Sequence, residues 1–145
     1  MSIILDTSVL IADERGQWDG GRFATEVVGS AQLGICTITA SEFLHGCWRA
    51  PVGKRRERRK AFFESLLAAL EVFAFGLEEA RTHSRLTAQL ADSGIILGAY
   101  DLVIAATCLH LDWQLATLNH AEFSRVPGLR LVPTEPYRIP PNATA

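Results

Sequence analysis

No apolar run in the chain is long enough to span a bilayer, and no basic segment followed by an apolar one opens it. These absences set the expectation of a cytoplasmic protein with no membrane partner. Cysteine is sparse and odd in number: Cys36, Cys47 and Cys108 lie far apart and match no zinc-ligand spacing. That argues against a disulfide framework and for a reducing compartment, with the thiols serving as small buried apolar groups. Lysine occurs only as Lys54 and Lys60. Basic residues do not exceed acidic ones, 14 against 16, so the net charge of -2 gives no global field that would attract nucleic acid. Any such partner must be held by local patches or a bound cation. Internal repeats are also missing.

What is present is a hydrophobic content of 48% in 145 residues, enough for one domain with a real core. The run Ile3-Ile4-Leu5 reads as a fully buried strand, since apolar residues without alternation suit a strand covered on both faces. A short helix from Thr7 to about Asp13 follows, then a turn over 16–21 and a helix carrying Phe23, Val27, Val28 and Ala31. Leu33 to Ile38 is a second strand, and Thr39-Ala40-Ser41-Glu42 opens a helix that Pro51 and Gly53 end. After the basic run from Lys54 to Lys60 come Ala61, Phe62, Phe63, Leu66, Leu67 and Leu70, an apolar helical stripe. Projected backwards, that stripe lands on Arg59 and on Arg55 or Arg56, so the first two turns are expected to overhang the body of the domain. Val72 to Phe75 is a third strand and Leu77 to about Asp92 a polar-faced helix. Leu102 to Leu111 is apolar nearly all round and belongs at the centre of the fold, with Asp101 at its entrance. Gln114 to Leu118 and Leu129 to Val132 complete the strands. Such alternation indicates an α/β layer sandwich, helices on both faces of a mostly parallel sheet, over residues 1–132, with 133–145 as a loosely ordered Pro-rich tail.

Asp6, Glu42 and Asp101 share one property: each stands where a strand or loop gives way to a helix. In a parallel sheet those junctions lie on one edge, where residues distant in sequence meet. Each also has a plainer reading. Asp6 and Asp101 suit helix N-caps, and Glu42 suits a capping box with Thr39. If clustered, the three charges demand a cation, and oxygen donors without cysteine or histidine select a hard ion such as Mg²⁺ or Mn²⁺. Such an ion holds phosphate oxygens and turns a bound water into a nucleophile, which points to phosphate-ester hydrolysis.

Together, Ile-Leu-Asp-Thr-Ser around Asp6, Thr-Ala-Ser-Glu-Phe-Leu-His-Gly around Glu42, Gly-Ala-Tyr-Asp-Leu-Val-Ile-Ala-Ala around Asp101 and Ala-Thr-Leu-Asn ending at Asn119 resemble the PIN domain. Within that family the spacing is most similar to the VapC toxins of toxin-antitoxin pairs. The resemblance implies a three-layer α/β/α fold with sheet order 3-2-1-4-5. It further implies a Mg²⁺- or Mn²⁺-dependent endoribonuclease that leaves a 5′ phosphate and a 3′ hydroxyl, a homodimer, and an antitoxin protein that blocks the site. Carried over, Asp6, Glu42 and Asp101 are the metal-binding set and Asn119 takes the fourth catalytic position, often Asp in the family. Thr7 and Thr117, beside the acidic positions, are expected to orient a ligand or water.

The basic run reads either as a solvated helix end or, through Arg55 and Arg56, as a contact for RNA phosphates or an acidic antitoxin segment. Of the histidines only His120, beside Asn119, is expected near the site, as a bystander. Trp18, Trp48 and Trp113 show no periodic relation. An aspartate-phosphorylating phosphatase or receiver domain would also end its first strand in Asp. However, Ser8 stands where the phosphatase needs a second Asp, and neither lysine is a late one. A PIN-fold module that binds RNA or protein without catalysis is the alternative that Asn119 keeps open.

Overall fold

In the computed structural model, which describes residues 1–142, the amino-terminal apolar run forms β1 (Ser2–Leu5). Ile3 and Leu5 point into one hydrophobic layer and Ile4 into the other, all at 5% exposure or less. That two-sided burial is why the run lacks alternation. α1 (Thr7–Glu14) follows directly. α2 (Gly20–Phe23) continues into a π-helical turn (Ala24–Val28), and β2 (Gln32–Cys36) leads into α3 (Thr37–Arg49). Then come α4 (Lys54–Leu67), β3 (Glu71–Phe73), α5 (Leu77–Asp92), α6 (Ala99–Leu111), β4 (Gln114–Ala116) and α7 (His120–Phe123).

The strands pair in the order β3-β2-β1-β4, all parallel, with Ile4 opposite Gly34 on one side and Leu115 on the other. α1, α3, α4 and the carboxyl-terminal segment cover one face, and α5 and α6 the other. The three-layer α/β/α expectation therefore holds. The fifth strand does not form as such: Leu129 to Val132 contributes a single parallel bridge, Leu131 to Leu115, beside β4. Pro133 has no N–H with which to extend the ladder. Gly34 sits where β2 pairs with β3, and a Cβ there would stand 2.6 Å from the Phe73 ring, which lies across it.

α6 confirms the central helix: Ile104, Ala105, Ala106, Thr107 and Cys108 are at most 1% exposed. Its small residues let it lie close over β1 and β4. Each layer also carries one buried free thiol, Cys36 in the sheet, Cys47 in α3 and Cys108 in α6. Burial pushes the Cys36 thiol up to about 11 and the other two upward as well.

Two expectations need correction. The first turns of α4 do not simply overhang the core. Arg59 is 7% exposed, with its guanidinium over the Phe43 ring, one nitrogen donating to the Gly46 carbonyl and another 3.4 Å from Glu14. The helix keeps its buried face at that position by pairing the charge and laying the planar group on an aromatic ring. Second, the segment after Val132 is not loose up to Ile139. Thr134 and Tyr137 are buried, Trp18 bridges to Arg138, and the Ile139 amide donates to the Gln17 carbonyl. Residues 143–145 of the expected tail lie outside the described residues. No helix among the described residues is long and apolar enough to cross a membrane.

Candidate active site

β1 lies between β2 and β4, so the chain leaves its carboxyl end in one direction toward β2 and reaches β4 from the other side. That is a topological switch point, the place in an open parallel sheet where a crevice forms. Asp6 stands there. It occupies the N-cap position of α1 with extended backbone, yet its side chain caps nothing. Instead Oδ2 accepts from Ser8 Oγ at 2.7 Å and from Thr117 Oγ1 at 2.8 Å. Those hydroxyls are fixed in turn: the Leu118 amide donates to Ser8 Oγ and the Asn119 amide to Thr117 Oγ1, both at 3.0 Å. Two donors onto one oxygen, each itself held by a backbone amide, fix the plane of the carboxylate. Asp6 is 3% exposed, and its Oδ1 takes no hydrogen bond from the described residues yet is not sealed from solvent.

Glu42 lies in the second turn of α3, whose helix begins at Thr37 and not at Thr39. Thr39 is therefore inside the helix, fully buried, and the capping box does not form. Glu42 Oε1 accepts instead from Thr7 Oγ1 at 2.7 Å, which ties α3 to the start of α1. Asp101 is likewise no N-cap. Gly98 holds that position, and Asp101 sits in the first turn of α6, where the helix dipole favours a negative charge. Its carboxyl is nonetheless pushed up to about 6, first by burial and then by the charges of Asp6, Glu42 and Glu122. The mutual repulsion expected of the three carboxylates is thus present. Asp101, Glu42 and Tyr100 line an open cleft of about 390 Å³, and the Tyr100 ring is 53% exposed at its lip.

Asn119 is exposed at the N-cap of α7, and its side chain makes no capping bond. Thr117 is fully buried and bonds Asp6, so it supports the site from beneath. Thr7 supports Glu42 in the same way. Arg55 and Arg56 are not brought to the carboxylates. Arg56 caps the carboxyl end of α3, donating to the Trp48 and Ala50 carbonyls and lying over the Trp48 ring. Arg55 lines an open depression of about 590 Å³ with Arg15, Arg58, Glu14 and Phe62, at the far end of α1 from Asp6. That helix is eight residues long, so the separation is roughly 12 Å along its axis.

Two residues escaped the sequence reading. Ser8 shares the orientation of Asp6, and its signal was the hydroxyl pair directly after the aspartate. Glu122, in α7 and ion-paired with Arg125, adds a fourth carboxylate acting on Asp101, three residues beyond Asn119. Among the described residues no three His, Cys, Asp or Glu side chains are close enough to enclose a metal ion between them.

Comparison with known proteins agrees with this geometry. The PIN domain profile matches residues 3–129. A ribonuclease VapC1 of Rickettsia felis is 33% identical over 132 residues, covering 91% of this chain and 96% of its own. A ribonuclease VapC of Rickettsia bellii is 32% identical over 133 residues, with the same coverage. Among solved structures, VapBC2 from Rickettsia felis bound to a promoter DNA fragment superposes with a TM-score of 0.81 at 25% identity, over 91% of this chain and 98% of that one. DNA-bound VapBC from Salmonella typhimurium gives 0.80 at 27% identity, over 91% and 97%. With the switch-point aspartate, the parallel sheet order and these matches in agreement, the chain belongs to the PIN-domain family, in its VapC group.

Proposed function

We propose that the chain is an endoribonuclease that uses Mg²⁺ or Mn²⁺ to hydrolyse RNA phosphodiester bonds, and that it is the toxin of a toxin-antitoxin pair. The observation that carries this reading is the convergence of Asp6, Glu42, Glu122 and Asp101 on one sheet edge, close enough for the other three to raise the Asp101 carboxyl. The names of the VapC relatives as ribonucleases support it.

The donor set fits a hard divalent cation. It offers carboxylate oxygens only, their charges repel one another, and Asp6 Oδ1 is left for a ligand. Mg²⁺ commonly keeps several waters and takes substrate phosphates as ligands, so these carboxylates need not enclose it. Asp6, Glu42 and Asp101 would hold it. When bound, the ion supplies a more acidic water and neutralises charge developing on the phosphate.

The chain's own residues do the rest. Ser8 and Thr117 fix the plane of Asp6, Thr7 fixes Glu42 against α1, and the Asn119 amide group stands exposed to reach substrate. Among the described residues no arginine or lysine lines the cleft, so the protein's own grip on RNA falls to groups such as the Tyr100 ring, which offers a stacking surface for an unpaired base. Arg55 and Arg58, remote from the carboxylates, suit an acidic segment of the antitoxin better than the substrate. An apolar groove lined by Leu90, Ile95, Ile96, Leu97 and Leu102, with Ile96 86% exposed, suits contact with a second copy in a homodimer.

The test is cleavage of single-stranded RNA by the purified chain with Mn²⁺ or Mg²⁺, against an EDTA control and the Asp6→Asn and Asp101→Asn variants. Metal-dependent products with 5′ phosphates, lost in both variants, are expected. Cleavage unchanged by either variant or by EDTA would overturn the assignment.

A further inference from the structure

The carboxyl-terminal segment reaches the site from behind. Thr134, 1% exposed, donates its hydroxyl proton to the Thr117 carbonyl at 2.6 Å. β4 ends at Ala116, and a continuing parallel ladder would have offered that carbonyl the Thr134 amide. The side chain supplies the bond in its place. His120 Nε2 lies 2.8 Å from the same hydroxyl oxygen. Because the single hydroxyl proton is already given to Thr117, His120 must be the donor, which places the imidazole proton on Nε2. The Thr134 carbonyl accepts from Trp18 Nε1 at 2.9 Å.

Thr134 is thus held on both sides. Trp18 packs against Phe23 and Tyr137 with ring centroids 4.8 and 6.3 Å away, and the Asp19 amide donates to the Tyr137 carbonyl at 2.7 Å. On the other side, Thr117 connects this cluster to Asp6: its carbonyl receives Thr134 and its hydroxyl donates to Asp6 Oδ2. Remove the Thr134 hydroxyl and a buried carbonyl loses its partner. An unsatisfied buried acceptor is costly, and a Thr117–Leu118 peptide turned to find another partner takes the Leu118 amide off Ser8 Oγ, the hydroxyl that shares Asp6 Oδ2 with Thr117.

We propose that Thr134 is a positioning residue for Asp6, acting through Thr117, with His120 as the donor that keeps the Thr134 hydroxyl aimed. The proposal rests on the nuclease reading of the site. Its test compares Thr134→Val, which keeps the shape and removes the hydroxyl, with Thr134→Ser, which keeps the hydroxyl. For each, kcat and KM on one single-stranded oligonucleotide, Mn²⁺ affinity of the RNA-free protein by calorimetry, and the melting temperature are measured.

Thr134→Val is expected to lower kcat at least tenfold with KM within twofold, and to weaken Mn²⁺ binding several-fold at a temperature where the variant is fully folded. Thr134→Ser restores both. Wild-type kcat and Mn²⁺ affinity in Thr134→Val would overturn the proposal, as would equal loss in the Ser variant. Should Thr134→Val fail to fold, His120→Phe against His120→Gln decides: loss of kcat and Mn²⁺ affinity in Phe alone supports the proposal, and equal behaviour overturns it. A wild-type chain that binds Mn²⁺ but cuts no RNA refutes the nuclease reading alone, and Mn²⁺ affinities then judge Thr134. A chain that neither cuts RNA nor binds Mn²⁺ refutes both.

Discussion

Replacing Asp101 by Asn should make the metal-free protein more stable at neutral pH while removing its activity. Burial and three neighbouring carboxylates raise Asp101 from 3.8 to about 6. The folded state therefore binds its proton more tightly than the unfolded chain does, and above pH 6 the ionised group opposes folding. The shift is close to two units, worth roughly 3 kcal/mol if counted in full. Asp101 is only partly buried, so solvent screening brings the effect down to about 1 kcal/mol. For a chain of this size that is a rise in melting temperature of about 3 °C.

The assay is thermal unfolding with EDTA, from pH 7.5 down to 4.5. The difference between Asp101→Asn and wild type is expected to be full at pH 7.5 and to shrink as pH falls through 6 toward 4, where the wild-type carboxyl is protonated in the folded state. Added Mn²⁺ should raise the wild-type transition and leave the variant nearly unmoved. A variant that is less stable at pH 7.5 without metal, or a difference independent of pH, would refute the electrostatic reading.

Arg59→Ala should cost about 3–5 kcal/mol in chemical denaturation, because it strands Glu14 in a poorly solvated position; Arg59→Met, which keeps the packing over Phe43, should cost less when combined with Glu14→Gln. Gly34→Ala should destabilise by about 1–3 kcal/mol, since its new methyl meets the Phe73 ring, and a neutral result would mean that β3 yields easily. Charge reversal at Arg55 and Arg58 should weaken capture of an acidic antitoxin peptide at low salt while leaving RNA cleavage within twofold. Equal loss of both would put RNA on that surface. Tyr100→Ala should raise KM for single-stranded RNA several-fold, as loss of one stacked base does, with Tyr100→Phe close to wild type.

How far the sequence foretold this site depends on which physical term each residue answers to. Ile3 to Asp6 was legible because strand burial and the carboxylate that ends it are local facts. So was α6, whose apolar circumference leaves no place but the centre. Arg59 misled because hydrophobic periodicity scores a guanidinium as polar, whereas its plane and stem pack on Phe43 as an apolar group would. Glu42 was found for its position, but its partner was misassigned: the contact with Thr7 is made across the fold and leaves no trace in spacing. The segment after Pro133 looked loose because its prolines were visible and its anchors, Trp18 and Thr117, lie more than a hundred and just under twenty residues away. Arg56 looked free for phosphate because helix-end carbonyls, which it satisfies on α3, are invisible as acceptors in a sequence.

The three buried thiols give each layer its own clock. A thiol reacts as the thiolate, and Cys36, Cys47 and Cys108 are both inaccessible and held protonated, so an alkylating reagent can mark them only when the surrounding layer opens. Mass spectrometry of the labelled chain would then read three opening rates from one sample: the sheet edge beside Asp6, the α3 side and the α6 side. A cation that ties Asp6 to Asp101 should slow Cys36 and Cys108 together, while a protein seated on α3 and α4 should slow Cys47.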